Sequence, residues 1–481
     1  MTREAHVADP RPNILWYCSD QQRFDTIGAL GNPHVHTPNL DRLAREGVAF
    51  THAHCQSPIC TPSRASFLTG KYPSAVRANT NGNEVYAGET LVTRRLADTG
   101  YDCGLAGKLH LAGAWNGRET RTDDGYRFFK YSHAPRNDWF SGHDYANWIR
   151  SHGEDPARVL KITSNHPADL MEPTAEKDNV SPRLHQTHWC SEEAIEFVSE
   201  QRAGPWLMSV NPYDPHPPYN PPYEYYRRFD PETLPGPHFR ESDLAHQNEY
   251  LGKMDFQSIS RRPEEFEAKK VQAAYYAMIE QVDHEFGRIL EALERTGQRE
   301  RTVVIYMSDH GESLGDHGLV HKGCRFFDGL TRVPLIVSWP GHFAGGPRSD
   351  ALVELTDVMP TIMELAGLPV PPGVQGRSLL PILMGKAPPN HHRDFVRSEY
   401  YDAVDMPDHT FGTMYRDRRY KLVVYHGHGR GEMYDMERDP HEHESLWDSP
   451  EHQAIKSELI QRSFDATIRA MDYGPPRAMP M

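Results

Sequence analysis

The sequence predicts an α/β protein. A large, mostly parallel (mixed) sheet is sandwiched by helices, and a smaller C-terminal antiparallel sheet with one helix follows it. Three observations predict this. Short apolar runs at 14–18 (ILWYC), 103–106 (CGLA), 206–210 (WLMSV), 303–307 (VVIYM) and 335–339 (LIVSW) each end in polar residues, the length and texture of strands buried on both faces. Amphipathic helical patterns lie between them, as alternating βα units require. Beyond about residue 370 the texture changes to Gly/Pro punctuation and short strand-like stretches.

Taken in order, 39–46 (NLDRLARE) follows Thr37-Pro38 and 63–68 follows Thr61-Pro62, both helix-start signals. Residues 91–99 and 191–200 are amphipathic. The polar stretch 114–190, rich in His, Asp and aromatics, reads as an insertion of loops and short elements. Residues 211–222 (NPYDPHPPYNPP) are too Pro-dense for helix or central strand, so they form a loop after the strand at 206–210. The longest helix is predicted over 263–295, with Val271, Ala274, Tyr275, Met278, Ile279, Val282, Phe286, Ile289 and Leu290 on its apolar face. Gly373, Gly376 and Pro381 punctuate a linker. Strands are predicted at 411–415, 421–425 and 432–434, with Gly427, Gly429 and Gly431 making a hairpin between the last two. A terminal helix at 450–470 ends the chain. This gives a catalytic-type domain over 1–375, carrying the insertion 114–190, and a small α+β subdomain over 376–481.

Length and charge bound the function. A chain of 481 residues buries an ample core without disulfides. Its 52 Lys+Arg against 67 Asp+Glu give −15, with no basic run, which argues against nucleic acid or an anionic membrane as partner. No apolar run approaches the roughly 20 residues a bilayer span needs. The opening MTREAHVADPRPNIL lacks a basic region followed by an apolar one, so the expected location is cytoplasmic. The cysteines at 18, 55, 60, 103, 190 and 324 are scattered and form no CxxC pair, which excludes a disulfide framework and a Cys-rich zinc site. Cys18, Cys103 and Cys190 sit in apolar patterns and read as core packing.

In open α/β sheets, ligands bind beyond the carboxyl ends of the strands. Ser19, Asp20, Gln21 and Gln22 follow the first run; Gly107, Lys108 and His110 the second; Asn211, Asp214 and His216 the third; Ser308, Asp309, His310 and Gly311 the fourth. Asp20 with Gln21 and Asp309 with His310 are the candidate metal ligands. Their carboxylate and amide oxygens suit Ca²⁺ or Mg²⁺, and the imidazole admits Mn²⁺ or Zn²⁺. The same residues also read as turn and cap residues. Cys60 lies at or just before a helix start, where exposed N–H groups stabilise a thiolate or a bound anion, and Arg64 adds a fixed charge one turn on. An inert buried cysteine is the alternative. Asn81, in the loop 79–83, reads either as a hydrogen-bond donor to substrate or as a turn residue.

Cys60-Thr61-Pro62-Ser63-Arg64, followed by Ala65, Ser66, Leu68, Thr69, Gly70 and Tyr72-Pro73, resembles the signature of the sulfatase family. Further matches follow in order: Pro12-Asn13-Ile14-Leu15, Thr37-Pro38-Asn39-Leu40-Asp41, Gly107-Lys108-Leu109-His110, Pro215-His216-Pro217-Pro218-Tyr219, Ser308-Asp309-His310-Gly311-Glu312 with Gly315-Asp316-His317, Lys322, and Met433-Tyr434-Asp435 with Asp439-Pro440. The resemblance spans nearly the whole chain and implies an alkaline-phosphatase-like fold. It implies that a maturation enzyme converts Cys60 to formylglycine, the nucleophile. It implies one divalent metal, Ca²⁺ foremost with Mn²⁺ or Mg²⁺ as alternatives, held by Asp20, Gln21, Cys60, Asp309 and His310. The implied catalytic residues are Cys60, Arg64, Lys108, His110, His216 and Lys322, with His216 a general acid aided by Lys322 and His110 a base. One departure matters: many sulfatases carry two adjacent aspartates where this chain has Asp20-Gln21. That pair resembles phosphonate monoester hydrolases and choline-sulfatase-like members of the superfamily. The expected function is therefore hydrolysis of a sulfate ester, of a sulfated carbohydrate above all. A phosphonate monoester or phosphodiester hydrolase is the alternative on this fold, and a non-catalytic metal-binding protein with unmodified Cys60 the alternative of another class.

Other polar residues carry weaker expectations. Asp316 and His317 are read as supporting the site, His426, His428 and His391-His392 as solvated. The aromatic stretch 139–148 is read as a sugar platform or as packing within the insertion, and Asn179-Val180-Ser181 as a sequon of little weight.

Overall fold

The computed structural model describes residues 11–114, 118–134, 143–160, 180–251, 259–346, 348–404 and 409–472. Among these residues, nine strands build the main sheet: β1 (Asn13–Ser19), β2 (Val48–His54), β3 (Asp102–Gly107), β4 (Phe128–Tyr131), β5 (Trp206–Asn211), β6 (Thr302–Ser308), β7 (Arg332–Val333), β8 (Leu335–Ser338) and β9 (Arg348–Glu354). Their order is β4-β3-β5-β1-β6-β8-β2-β7, with β9 also paired to β2. From β4 through β6 every pairing is parallel; β8 is antiparallel to β6 and β2.

The two-residue strand period explains why this sheet needs helices on both faces. In β1, Ile14, Trp16 and Cys18 enter one core while Leu15 and Tyr17 enter the other; in β6, Val303, Ile305 and Met307 divide from Val304 and Tyr306 in the same way. On the first face lie α2 (Cys60–Thr69) and α5 (Val358–Leu365). On the second lie α1 (Pro38–Glu46), α3 (Gln186–Ser199) and α4 (Ala268–Arg295). Cys18, Cys103 and Cys190 are buried in these cores, as their apolar settings predict.

The second sheet is β10 (Val396–Tyr401), β11 (Phe411–Arg416), β12 (Tyr420–Tyr425) and β13 (Arg430–Asp435), antiparallel throughout. Helix α6 (Gln453–Ala470) covers it through Leu459 and Ala466 against Tyr415, Leu422 and Met433.

Several boundaries differ from the sequence reading. Helix α2 begins at Cys60, three residues before the expected start. The long helix begins at Ala268 after a short 3₁₀ turn, because Glu267 sits at φ 50° and interrupts it. The insertion 114–190 contributes a true edge strand, β4, and the first turn of α3. Within the aromatic stretch, Tyr145 packs on Trp189 with ring centroids 5.5 Å apart, while Trp139, Phe140 and the sequon residue Asn179 lie outside the described residues. His392 is not simply solvated: its Nε2 lies 3.3 Å from Asp357. Likewise His426 Nε2 stands 2.9 Å from the Thr413 hydroxyl.

Candidate active site

Strands β3, β5, β1 and β6 are neighbours and parallel, so their carboxyl ends open on one edge. There β1 delivers Asp20 and Gln21, β3 delivers Lys108 and His110, the loop after β5 delivers His216, and β6 delivers Asp309 and His310. Helix α2 enters from the first face with Cys60 in its first turn. Ile59 is extended and caps nothing with its side chain; instead Asn81 Oδ1 accepts from the Thr61 amide at 3.1 Å. A remote loop thus satisfies one of the free N–H groups at this helix start, whose dipole favours negative charge at Cys60. At the far end Gly70 adopts φ 72° and its amide bonds Ser66 O at 2.8 Å, which stops the helix.

All ten residues of α2 are buried, including Arg64. Arg64 Nε donates to Asp309 Oδ2 at 2.8 Å, Nη2 to Asp20 Oδ2 at 3.2 Å and Nη1 to the Lys108 carbonyl at 3.0 Å. One guanidinium therefore holds the two carboxylates and the β3 loop in register. It acts through those groups. Lys108 Nζ also donates to Asp20 and stands 3.5 Å from Cys60 Sγ. Lys322 Nζ donates to Cys60 Sγ at 2.9 Å and to Gln21 Oε1 at 2.8 Å. His310 Nε2 lies 3.1 Å from Cys60 Sγ. Its Nδ1 donates to Gly311 O at 2.9 Å, which turns Nε2 toward the site. Burial and Asp20 push the Cys60 thiol up, but Lys108, Lys322 and His310 outweigh them and bring it down to about 5.

Asp20, Cys60, Asp309 and His310 present ligand atoms within 4.8 Å of one another. Gln21 stands beside them, its amide oxygen accepting from Lys322 and its amide nitrogen donating to Glu312. His110 and His216 are both buried and both held well below the usual imidazole range, by burial first and then by the site's lysines. His216 Nδ1 lies 2.6 Å from the Pro217 carbonyl, so that nitrogen carries the proton and Nε2 accepts. Asp316 is bound to Arg23 at 2.9 Å, and Arg23 in turn donates to the Glu312 and Ser313 carbonyls, which braces the loop after β6.

Residues 12–368 match the sulfatase family, and residues 315–468 match the family of the N-sulphoglucosamine sulphohydrolase C-terminal region. The chain belongs to the sulfatase family. This sulfatase is 29% identical to an arylsulfatase of Clostridium perfringens over 92% of its own chain and 91% of that one. It is 24% identical to an N-acetylglucosamine-6-O-sulfatase of Bacteroides thetaiotaomicron, over 97% and 88% of the two chains. The solved phosphonate monoester hydrolase of Agrobacterium radiobacter superposes with a TM-score of 0.81 at 26% identity, covering 98% of this chain and 100% of that one. The fold is alkaline-phosphatase-like, and the protein is a sulfuric ester hydrolase. Among the described residues no helix is long and apolar enough to cross a membrane.

Two carboxylates of the sulfatase's site carry roles that the sequence does not assign, Glu119 and, although it belongs to the motif that begins at Ser308, Glu312. Glu312 accepts from Gln21 Nε2. Glu119, 4% exposed, accepts from the amides of His110 at 2.7 Å and Leu111 at 3.1 Å, and so holds His110 at its φ of 59°. Nothing local in the sequence marks Glu119, because its partners are backbone groups. Burial pushes its carboxyl up to about 7 against those two hydrogen bonds. Its folded pKa thus lies above the unfolded one of about 4.3. The folded state keeps a proton that the unfolded state releases, and stability falls by about 1.4 kcal/mol per pH unit between those two values. Glu119→Gln cannot titrate. The melting temperature of the Gln variant minus that of wild type should therefore widen from pH 4.5 to 7 and then level off. A gap independent of pH would mean that Glu119 is already ionised at pH 5.

Proposed function

We propose that this sulfatase hydrolyses the sulfate ester of a sulfated carbohydrate, with Cys60 matured to formylglycine and one divalent metal, Ca²⁺, in the cluster at the strand ends. The observation that carries the reading is the convergence on Cys60 of Lys322 at 2.9 Å, His310 at 3.1 Å and Lys108 at 3.5 Å at a helix start. The donor set fits a hard cation. Asp20 and Asp309 supply carboxylates and Gln21 an amide oxygen, His310 turns Nε2 inward, and matured Cys60 completes the set.

Bound there, the metal supplies Lewis acidity toward an ester oxygen. Formylglycine at position 60 supplies an oxygen nucleophile in place of sulfur. The chain's own residues do the rest. Lys108 and Lys322 bring ammonium groups within 3.5 and 2.9 Å of the residue 60 side chain, where the sulfuryl oxygens must lie for attack, and neutralise the charge that builds on them. Arg64 keeps Asp20 and Asp309 aimed at the same point. In place of His216, which the resemblance makes the general acid but which burial and Lys322 keep neutral with a lone pair on Nε2, Lys322 carries the proton for the leaving oxygen and His216 orients beside it. His110, neutral and held by Glu119, takes the proton whose loss regenerates the resting site. Asn81 acts by capping α2 at Thr61, which sets the position of residue 60.

The sugar half of the reading rests on likeness to the N-acetylglucosamine-6-O-sulfatase. A phosphonate monoester is the second reading, favoured by the Asp20-Gln21 pair and by the structural match to a phosphonate monoester hydrolase. Sulfate and phosphonate monoesters carry the same single charge, so charge does not separate them. A phosphonate replaces one terminal oxygen by carbon, which leaves one cationic group unpaired. With nitrophenyl sulfate and nitrophenyl phenylphosphonate as paired substrates, kcat/KM should favour the sulfate by at least about tenfold. The reverse order would install the phosphonate reading.

A further inference from the structure

We propose that Asp243, His317 and His443 form a second metal site, separate from the catalytic cluster, whose resident ion is Zn²⁺. The three residues lie far apart in sequence. Asp243 sits in the short helix Glu241–Ala245, His317 in the turn after β6, and His443 in the loop after β13. Their side chains nevertheless converge. His317 Nδ1 is 3.6 Å from Asp243 Oδ1, His443 Nδ1 is 3.2 Å from both Asp243 oxygens, and the three donor atoms all lie within 4.8 Å.

These separations, 3.2 and 3.6 Å, are close to those that a tetrahedral ion would impose on its ligands. Ligands 2.0–2.1 Å from a tetrahedral Zn²⁺ stand about 3.3–3.4 Å from one another. His443 Nδ1 stands equally close to both Asp243 oxygens, so in the metal-free protein its N–H is shared between them, and the same carboxylate faces both imidazoles. The set of two imidazoles and one carboxylate leaves a fourth position for water, and imidazole donors select Zn²⁺ over the hard cations that the oxygen-rich catalytic cluster suits. The surroundings hold the ligands in place. Asp243 Oδ2 accepts from the Arg240 amide at 2.8 Å, and the His317 ring stacks on Phe327 at 3.9 Å. All three side chains are nearly excluded from solvent, at 3% for His317, 4% for Asp243 and 6% for His443. None belongs to the Asp20, Cys60, Asp309 and His310 group. An ion here would tie the loop after β6 to the C-terminal sheet's trailing loop and stabilise the fold by closing two long chain loops.

The test uses full-length metal-free protein titrated with Co²⁺ and then Zn²⁺, in an Asp309→Asn background that removes the catalytic cluster's contribution. One equivalent of Co²⁺ should give the intense visible absorption of four-coordinate cobalt, and Zn²⁺ should displace it. Adding His443→Gln should lose that band and weaken Zn²⁺ binding by more than the roughly 10–100-fold that outer-shell changes cost. Adding His443→Cys instead should retain the ion and add thiolate-to-cobalt charge-transfer absorption, which guards against a variant that merely misfolds. A spectrum of six-coordinate Co²⁺ in the background protein, an unchanged band in His443→Gln, or no charge-transfer band in His443→Cys would each overturn the site.

Discussion

Cys60→Ala should lose turnover by about 10⁵-fold or more, the scale seen when a covalent nucleophile is removed from an otherwise complete site. The fold should stand. Cys60 is 1% exposed, but its Sγ serves the site more than the core: its neighbours are Lys322, His310 and Lys108, not apolar side chains. Each neighbour keeps another partner without it. Lys108 still donates to Asp20, Lys322 to Gln21, and His310 to Gly311 O. Loss of one small side chain costs about 1–2 kcal/mol at most in such a setting. The paired measurement is steady-state turnover with thermal unfolding, alongside the mass of the wild-type peptide carrying residue 60. Residual turnover within tenfold of wild type would mean that water attacks the ester directly, and the covalent reading would fail.

Lys421→Met should destabilise the protein by about 3–5 kcal/mol, the cost of leaving a buried charge without its partner. Lys421 is fully buried on β12. Its Nζ donates to Asp328 Oδ1 at 2.6 Å, to Glu442 Oε1 at 2.6 Å and to the Phe326 carbonyl at 3.1 Å. Arg416 on β11 grips the same Asp328 at 2.7 and 2.8 Å. Asp328 belongs to the turn that leads into β7 of the main sheet, so this cluster fastens the second sheet to the first. Burial raises the Asp328 carboxyl, but Arg416 and Lys421 outweigh it and hold it well below the usual carboxylate range. Its contribution is therefore present above the unfolded carboxylate pKa of about 3.9 and lost as pH falls through the lower folded value. Denaturant melts of wild type and variant should differ at pH 7 and converge in strong acid. A difference below about 1 kcal/mol at pH 7 would show that Arg416 alone secures the junction.

Much of this was legible in the chain. The apolar runs that became β1, β3, β5, β6 and β8 stand out because each strand is buried on both faces. Strands β2 and β10 do not stand out. β10 reads VRSEYY, and its buried Arg397 and Glu399 pair with each other and with Tyr401, while Glu399 also accepts from the Ser74 amide. A charge inside a strand looks solvated until its partner is seen. The start of α2 was misplaced for a related reason: the group that caps it, Asn81, comes from another loop.

The site divides along the same line. Cys60, Arg64, Lys108, Asp309 and His310 announce themselves by residue type at strand and helix ends, since a parallel sheet delivers those ends to one edge. The roles of Glu119 and Glu312, and the grouping of Asp243 with His317 and His443, do not. Their chemistry lies in partners brought from distant loops. Residue identity and spacing determined the family, the sheet and the reacting groups, because local patterns encode burial and strand ends. Only the tertiary structure decided which buried charges meet, because a pairing energy exists only between groups that folding has already brought within a few ångströms.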